Sequence, residues 1–307
     1  MGRRNLLSYI IISLKGVAMG AADVVPGVSG GTIAFISGIY EELITSINSI
    51  TFSKFKVLRK EGFKSFWKAI NGNFLLALFS GIFISVFSLA KMISWLLVNQ
   101  PILLWSFFFG LVFASIFFIA RVIEKWNLGT ISAFVLGALL AYYITTLPPS
   151  ENTGSLPFLF LSGALAVCAM ILPGISGAFI LVLLGSYKTI LDAVHEQELY
   201  TVATVAMGAV FGLLSFARLL KWMFENYKNS TLALLTGFIL GSLNKIWPWK
   251  KVLETKIFGK KVIPVNEVNI SPFQYEGDNQ FLYAVLLALL GFCVIFILEK
   301  LATKSKK

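Results

Sequence analysis

The sequence predicts an all-α polytopic membrane protein built as an inverted-topology repeat. Hydrophobic residues make up 57% of the 307 positions, charged residues make up 13%, and the mean hydropathy is +0.81. Soluble domains rarely have such a composition. A Pro-Gly-x-Ser-Gly motif occurs twice, and apolar stretches long enough to cross a bilayer follow each copy. Each half is therefore predicted to contain one broken, re-entrant helical hairpin and three transmembrane helices.

Two related segments carry the motif. Residues 24–44 read VVPGVSGGTIAFISGIYEELI and residues 171–191 read ILPGISGAFILVLLGSYKTIL, with 7 of 21 positions identical. Pro-Gly interrupts a helix, because proline lacks an amide hydrogen and its ring clashes with the preceding turn. The serine and glycines that follow are expected to leave backbone N–H groups bare at the start of the next helix, where an anion can bind. Membrane transporters often build their sites from such half-helices.

Further matches beyond the motif divide the chain into two halves. With an offset of 127 residues, Gly81, Ser88, Ala90, Lys91 and Trp95 pair with Gly208, Ser215, Ala217, Arg218 and Trp222. The first repeat, 1–147, is predicted to contain hairpin 6–48, a basic cytoplasmic linker 51–71, and helices 72–98, 102–123 and 129–147. The second repeat, 148–307, is predicted to contain hairpin 156–194, helices 199–225 and 230–247, a polar extracytoplasmic loop 248–279, and helix 280–303.

Loop charges favour hairpins over single crossings for the two broken segments. Hairpins would place 17 Lys and Arg residues on the side of both termini and 6 on the other side, whereas crossings would give 9 and 14. Because positive charge is enriched on the cytoplasmic side, the hairpin topology places both termini in the cytoplasm. The length of residues 6–22 is marginal for a span, so two short full spans stay an alternative to a re-entrant hairpin.

Residues 1–23 also have features of a cleavable signal peptide, since two arginines precede an apolar run. Lys15 interrupts that run. The related internal segment 156–194 favours a permanent part of the architecture.

Two acidic residues near the first motif are candidates for carrying a proton. Asp23 lies three residues before Pro26, and its counterpart in the second copy is Met170. Charged groups inside membrane segments are costly and usually functional, although an acid there could instead cap the following half-helix. Glu41 is the second candidate, and the alternative for it is a position at the cytoplasmic rim.

Two cations are matched across the repeat. Lys91 and Arg218 fall late in their predicted helices, near opposite faces of the membrane. They could extend to the membrane surface, or they could attract an anionic head group that approaches from each side.

Several other kinds of site are not indicated. His195 is the single histidine, and Cys168 and Cys293 have no ligand spacing, so neither a metal site nor a cofactor is predicted. The motif lacks the lysine of a nucleotide-binding P-loop. The net charge of +11 is attributed to cytoplasmic loops that face anionic lipid, and nucleic acid is not an expected partner.

The motif sequences resemble a bacterial family. ADVVPGVSGGT at 22–32, GIYE at 38–41 and MILPGISG at 170–177 are similar to the domain-of-unknown-function 368 family, which includes PopT-like undecaprenyl-phosphate translocases. The resemblance covers nearly the whole chain. It implies a flippase, not an enzyme, that returns this lipid carrier of cell-wall peptidoglycan synthesis from the outer to the inner leaflet of the bacterial cytoplasmic (inner) membrane.

The resemblance and the motif together imply a phosphate site and an alternating-access cycle. The expected phosphate-binding residues are Ser29, Gly30, Gly31, Thr32, Ser176 and Gly177, assisted by Lys91 or Arg218, and the helix-breaking residues are Pro26, Gly27, Pro173 and Gly174. Protonation of Asp23 or Glu41 could couple the cycle to a proton gradient. Passive exchange would need neither acid.

Two alternative functions stay open. A membrane polyprenyl-pyrophosphate phosphatase also has inverted repeats and a Pro-Gly-x-Ser element, but its serine is followed by an arginine that this chain lacks. A carrier of a small soluble anion would need a closed polar pore. The sequence leaves undecided the exact lipid, the oligomeric state and the role of loop 248–279.

Overall fold

The computed structural model describes residues 4–25, 28–150, 154–258 and 261–304. The helices of the first half are α1 Leu6–Val24, α2 Gly30–Ile36, α3 Tyr40–Asn48, α4 Phe52–Ala69, α5 Gly72–Asn99, α6 Pro101–Val122 and α7 Leu128–Thr146. Those of the second half are α8 Leu156–Ile171, α9 Gly177–Leu183, α10 Tyr187–His195, α11 Leu199–Asn226, α12 Lys228–Ser242 and α13 Phe281–Lys304. A 3-10 turn, Leu243–Ile246, continues α12.

The chain is a multi-pass helical membrane protein, as predicted. Within the described ranges, five helices are long and apolar enough to cross a membrane, namely α1, α5, α6, α7 and α11. Helices α9 and α10 together form a broken apolar pair, bent by 106°. Helix α8 and the 281–296 part of α13 are also apolar but shorter.

The inner helix of each broken segment ends at a glycine in the left-handed region. Gly38 after α2 has φ +72° and Gly185 after α9 has φ +66°. The turn is closed in both places by the same backbone bond, from Ile39 N–H to Ala34 O and from Ser186 N–H to Leu181 O. Glycine adopts this conformation without a Cβ clash, which explains why it is identical in the two copies.

The first arm of each broken segment packs in parallel against the long helix that follows the segment. Gly16 and Gly20 of α1 lie against the backbone of Leu78 and Ile82 of α5. The matching contacts between α8 and α11 join Phe160 with Gly208 and Ala164 with Gly212. Because the contacts advance along both helices together, α1 and α5 start at one end of the bundle, and α8 and α11 start at a common end as well.

Two further parallel pairs join the halves to each other. Helix α6 packs on α13, with Gly110 against Ala288, and α7 packs on α12, with Gly137 against Leu234. Small residues let the backbones approach closely, as is common between membrane helices. Gly110 and Gly237, which are matched at the offset of 127 residues, each contact the partner helix of their pair.

Polar contacts group the connections at two ends of the bundle. At the N-terminal face, Arg4 donates two 2.7 Å hydrogen bonds to Glu42, and the Asn71 amide donates to Glu42 as well. The start of α12 lies at the same face, where Lys228 and Glu41 are 3.6 Å apart. At the opposite end, which we call the β face, Gln280 donates to Gln100, Asn244 donates to Thr145 and Ser150 N–H donates to Leu183 O.

Two connections are more ordered than the sequence predicts. The linker 51–71 contains helix α4, which is broken at Gly62, where φ is +79°. The loop 248–279 contains an antiparallel hairpin of β1 Lys250–Phe258 and β2 Lys261–Asn269, in register from Lys250 opposite Asn269. The all-α expectation is therefore wrong for this loop. Its strands are rich in β-branched residues that suit a pleated ribbon.

Candidate functional site

The two motif segments meet inside the bundle. The hydroxyl of Tyr40 donates to the carbonyl of Ile171 (3.1 Å), and the hydroxyl of Ser29 donates to the carbonyl of Leu172 (3.2 Å). In the other direction, the N–H of Gly174 donates to the hydroxyl of Thr32 (2.8 Å). We call this set of bonds the tip contact. Three side chains of the first copy thereby hold the backbone of the second.

The first turn of α2 is occupied by the protein itself. The Asp23 carboxylate accepts a 2.7 Å bond from Gly30 N–H, and the Ser29 hydroxyl accepts one from Gly31 N–H. Thr32 N–H donates to the carbonyl of Ser29. The expectation of bare N–H groups at the first copy is therefore wrong in this conformation. The reason is that acidic and hydroxyl side chains cap helix starts readily, and α1 ends close enough for Asp23 to do so.

The second copy lacks this capping. Ser176 precedes α9 as its N-cap residue, but its side chain makes no capping hydrogen bond, and the first turn of α9 contains no acid. The residue that corresponds to Asp23 is Met170, which is 49% exposed. The two predicted halves of the phosphate site are therefore in different states.

The surroundings of the two inner helices differ as well. Every residue from Gly30 to Phe35 in α2 is buried, whereas α9 has no buried residue. The neighbours of α2 are α1, α3, α6 and α8, whereas α9 packs mainly against α8 and α10. One side of α9, which begins at Gly177, is thus open to the outside of the chain.

Two of the four helix-breaking residues lie in the described part of the second copy. Pro173 is buried, and Gly174 has φ +96°. A Cβ at Gly174 would lie 2.6 Å from the Ser242 hydroxyl, so close packing and backbone conformation both require glycine there. Pro26 and Gly27 of the first copy lie outside the described residues.

The structure does not bring the matched cations to the tip contact. Lys91 on α5 and Arg218 on α11 are both exposed on the outer surface of the bundle. Both are eight residues from the ends of their helices, at Asn99 and Asn226. This placement fits side chains that extend toward the membrane surface.

Glu41 also lies away from the tip contact. Its ion pair with Lys228 belongs to the N-terminal face, where the two side chains are 54% and 56% exposed. This is the rim position that the sequence offered as the alternative for Glu41. Of the two proton-carrying candidates, only Asp23 touches a motif residue in the described structure.

Two residues of this region were missing from the predicted site. Tyr40 is fully buried in the tip contact, and its signal was its identity with Tyr187 in the repeat. Lys245 lies beside α9, with Nζ 5.0 Å from the ring centroid of Phe179. No sequence signal marks Lys245, because its repeat counterpart is Phe118 and its neighbours are distant along the chain.

Metal ligands are not gathered anywhere in the described ranges, where no three His, Cys, Asp or Glu side chains form a cluster that could hold an ion. The polar groups at the tip contact are hydroxyls, amides and one carboxylate. Such groups can exchange hydrogen bonds with an anion, and none of them is a pair suited to phosphoryl transfer.

Comparisons with known proteins agree with the resemblance of the motifs. The family described as undecaprenyl phosphate translocase-like matches residues 19–262. A polyprenyl-phosphate transporter of Vibrio cholerae serotype O1 is 46% identical over 303 residues, covering 97% of this chain and 98% of the relative. A polyprenyl-phosphate transporter of Staphylococcus aureus is 30% identical over 253 residues, covering 76% and 85%. No solved structure matches the chain.

Proposed function

Because the chain belongs to the undecaprenyl phosphate translocase-like family, we propose that it moves a polyprenyl phosphate, most simply undecaprenyl phosphate, from the outer to the inner leaflet of the bacterial cytoplasmic membrane. Near full-length similarity to a protein named as a polyprenyl-phosphate transporter carries this proposal. The phosphate head cannot cross hydrocarbon unaided, whereas the prenyl tail can stay in lipid. The protein therefore needs to provide a polar path only for the head.

The proposed architecture is an inverted repeat of halves 1–147 and 148–307. The parallel packing of α1 on α5 and of α8 on α11 supports it, because each half then has a returning segment and three spans. An odd number of spans in the first half inverts the second relative to it. The tip contact then lies where the two returning segments approach from opposite faces.

The chain is closed at one face and open at the other. At the N-terminal face α3 packs on α11, where the rings of Tyr40 and Phe224 are 6.0 Å apart and the Asn48 amide donates to the carbonyl of Ala217. The equivalent packing would place α10 on the end of α5. Within the described residues these two helices make no comparable contact. With cytoplasmic termini, this is a conformation open to the outer leaflet.

Alternating access follows if the halves exchange these roles. In the opposite state α10 would pack on α5, with His195 next to Ala90 as Asn48 now lies next to Ala217. Tyr187 would meet Leu97 as Tyr40 now meets Phe224. Helix α3 would separate from α11, and the site would open to the cytoplasm. The two states require the same number of packed helix pairs, so neither needs to be strongly favoured.

The proposed head-group site is the start of α2 together with the start of α9. Its residues are Ser29, Gly30, Gly31, Thr32, Ser176 and Gly177, with Lys91 or Arg218 assisting at the approaches. In the present conformation Asp23 holds the Gly30 amide as a carboxylate. A phosphate oxygen would take that place, because it is also an anionic acceptor.

The replacement of Asp23 by a phosphate oxygen at the Gly30 amide gives Asp23 a role in coupling transport to protons. A proton on Asp23 removes the negative charge that would repel the phosphate and weakens its bond to Gly30 N–H. Release of the proton after the head group leaves would restore the capped state. The exposed pair of Glu41 and Lys228 offers no such exchange at the tip contact, which makes Glu41 the second choice.

Liposomes test the proposed function directly. Polyprenyl phosphate placed in the outer leaflet should disappear from it when the protein is present, without release of inorganic phosphate. Release of phosphate would indicate a phosphatase, and uptake of radiolabelled inorganic phosphate in place of lipid movement would indicate a soluble-anion carrier. Either result would overturn the proposal.

Two variants test the coupling. Asp23→Asn should abolish the response of the transport rate to an imposed pH gradient, while Glu41→Gln, which removes an exposed acid of the same segment, should preserve it. If Asp23→Asn keeps the full response, Asp23 does not carry the proton. If the wild type shows no response at all, the movement is passive exchange.

A further inference from the structure

A cationic cluster lies on the β face beside the open side of α9. Lys245 lies in the 3-10 turn after α12, and its Nζ is 5.0 Å from the ring centroid of Phe179 and 3.7 Å from the Glu267 carboxylate. Its side chain is 26% exposed. Phe179 lies on the same helical turn as Ser176, so Lys245 stands next to the start of the second motif helix.

Lys250 adds a second ammonium group to the cluster. Its Nζ donates to the carbonyl of Lys245 (2.7 Å), lies 3.4 Å from Glu267 and is 4.6 Å from the ring centroid of Trp105. Burial lowers the pKa of Lys250; Glu267 opposes this shift, and the charge of Lys245 adds to it. Lys245 and Lys250 share the Glu267 carboxylate, and an anion bound beside them would offset the burial of Lys250 and its repulsion by Lys245.

An apolar cleft lies next to this cluster. It has a volume of about 230 Å³ and is formed between α6 and α13 beneath Trp247, Pro248 and Trp249. Phe281 and Val285, on the rim, are 41% and 38% exposed. The cleft therefore reaches the outer surface of the chain along α13. Trp247 lines it and is two residues from Lys245, so one short segment joins the cationic and apolar parts.

We propose that Lys245, Lys250 and this cleft form a receiving site for a polyprenyl phosphate of the outer leaflet, with the phosphate on the lysines and the first isoprene units in the cleft. The site rests on the proposed function. From it, the head group would pass along the open side of α9 to Ser176. Lys245 is thus a substrate-binding residue.

The combination of two lysines and an apolar cleft favours a polyprenyl phosphate as the ligand. A phosphate monoester presents its full charge next to a flexible hydrocarbon chain, which matches lysines that adjoin an aromatic cleft. Inorganic phosphate would use only the lysines. The first half lacks the arrangement, because Phe118 occupies the position that corresponds to Lys245. The receiving site therefore belongs to one face alone, as expected for a lipid collected from one leaflet.

Binding to the purified full-length protein in nanodiscs of neutral lipid tests the site. Lys245→Gln should raise the Kd for polyprenyl phosphate about tenfold, as expected for loss of one charge-assisted contact. Lys251→Gln is the matched control, because Lys251 pairs with Glu276 in an exposed position away from the cluster. It should change the Kd less than about twofold. Lys245→Arg should preserve tight binding.

The cleft is tested separately by Val285→Trp, which would fill it from the rim. This variant should weaken binding of polyprenyl phosphate but leave binding of inorganic phosphate, which carries no prenyl chain, unchanged. Inorganic phosphate alone should compete weakly, since it makes no contact with the cleft.

Three results would overturn the receiving site. These are equal effects of Lys245→Gln and Lys251→Gln, no effect of either variant, and competition by inorganic phosphate as strong as that by the lipid. If the wild type moves the lipid in liposomes and Lys245→Gln binds it normally, the receiving site fails and the proposed function stands. If the wild type binds the lipid but does not move it, the proposed function fails instead.

Discussion

Helices α2 and α9 follow the same motif but lie in different environments. Residues Gly30 to Phe35 of α2 are buried, its first amides are capped, and α3 behind it packs on α11. Helix α9 has no buried residue, its serine cap is unused, and in the described structure α10 behind it does not pack on α5 as α3 packs on α11. The difference shows that one motif can lie in a buried, capped environment or in a more open, uncapped one.

Three of the positions at which the two copies differ make close contacts in the first copy. Asp23 corresponds to Met170, Gly31 to Ala178, and Asn48 to His195. In the first copy the acid, the glycine and the amide each make a close contact in the closed half. Their counterparts lie in the open half and are not constrained by these contacts. The asymmetry of sequence therefore follows the asymmetry of the fold.

The largest effect is expected from locking the closed half. Cysteines at Asn48 and Ala217, in a background without Cys168 and Cys293, should form a disulfide in the resting protein and stop transport, because α3 could no longer leave α11. Reductant should restore the rate. Cysteines at His195 and Ala90 should cross-link more slowly than the first pair at rest and faster while substrate is being transported. Efficient cross-linking of the second pair at rest would contradict the outward-open assignment.

A large effect is also expected from Gly31→Ala, which gives the first copy the residue of the second. A Cβ at this position would lie 2.7 Å from the carbonyl oxygen of Ile171 and 3.0 Å from that of Met170, so the tip contact must separate. We expect a loss of about 1–3 kcal/mol in the free energy of unfolding, from overpacking.

The control is the reverse exchange, Ala178→Gly, in the exposed helix α9. It should cost about 1 kcal/mol or less, the ordinary penalty of glycine in a helix. Thermal unfolding of the two variants in the same detergent would measure the contrast. Equal losses in the free energy of unfolding would mean that the packing around Gly31 is no tighter than the packing around Ala178.

A smaller effect is expected from Tyr40→Phe. The variant keeps the ring that packs against Phe35 and Phe224 but removes the hydrogen bond to the Ile171 carbonyl. Loss of one buried bond should lower the free energy of unfolding by about 1 kcal/mol. Tyr9→Phe, whose hydroxyl makes only a 3.5 Å contact with Asn73, is the control and should be nearly neutral in the same unfolding assay.

The smallest effect is expected from Lys228→Gln, which breaks the exposed pair with Glu41. Because both side chains are more than half exposed, the pair should contribute about 0–1 kcal/mol to closure of the N-terminal face. Its effect on the transport rate should diminish further in high salt. A strong, salt-independent loss would show that this pair closes the N-terminal face, and would reinstate Glu41 as a proton carrier.

Much of the architecture was readable from local pattern. The predicted helices 72–98, 102–123, 129–147 and 199–225 match the observed α5, α6, α7 and α11 to within about one residue at each end. The family expectation is confirmed by the match over residues 19–262. The hairpin at 250–269 was missed, because a short two-stranded ribbon has a weak signal beside long apolar helices.

The site was only partly predictable. Ser29, Gly31 and Thr32 lie where the two segments meet, but the amides of Gly30 and Gly31 are capped and not bare as predicted. Lys91 and Arg218 were chosen because the repeat matches them, and both are exposed away from that point. Lys245 was missed because it reaches α9 through folding alone, from a position with no counterpart cation in the first half.

The sequence by itself determined that the chain lies in a membrane, where its long helices run and that it is divided by a repeat, because hydropathy and internal similarity are properties of neighbouring residues. Only the tertiary structure decided which amides are capped, which cations lie beside the motifs and which face is closed. Those outcomes depend on bonds such as Ser29 to Leu172, between residues 143 positions apart. Segments that share a motif therefore lie in different environments, because residues distant along the chain surround each of them.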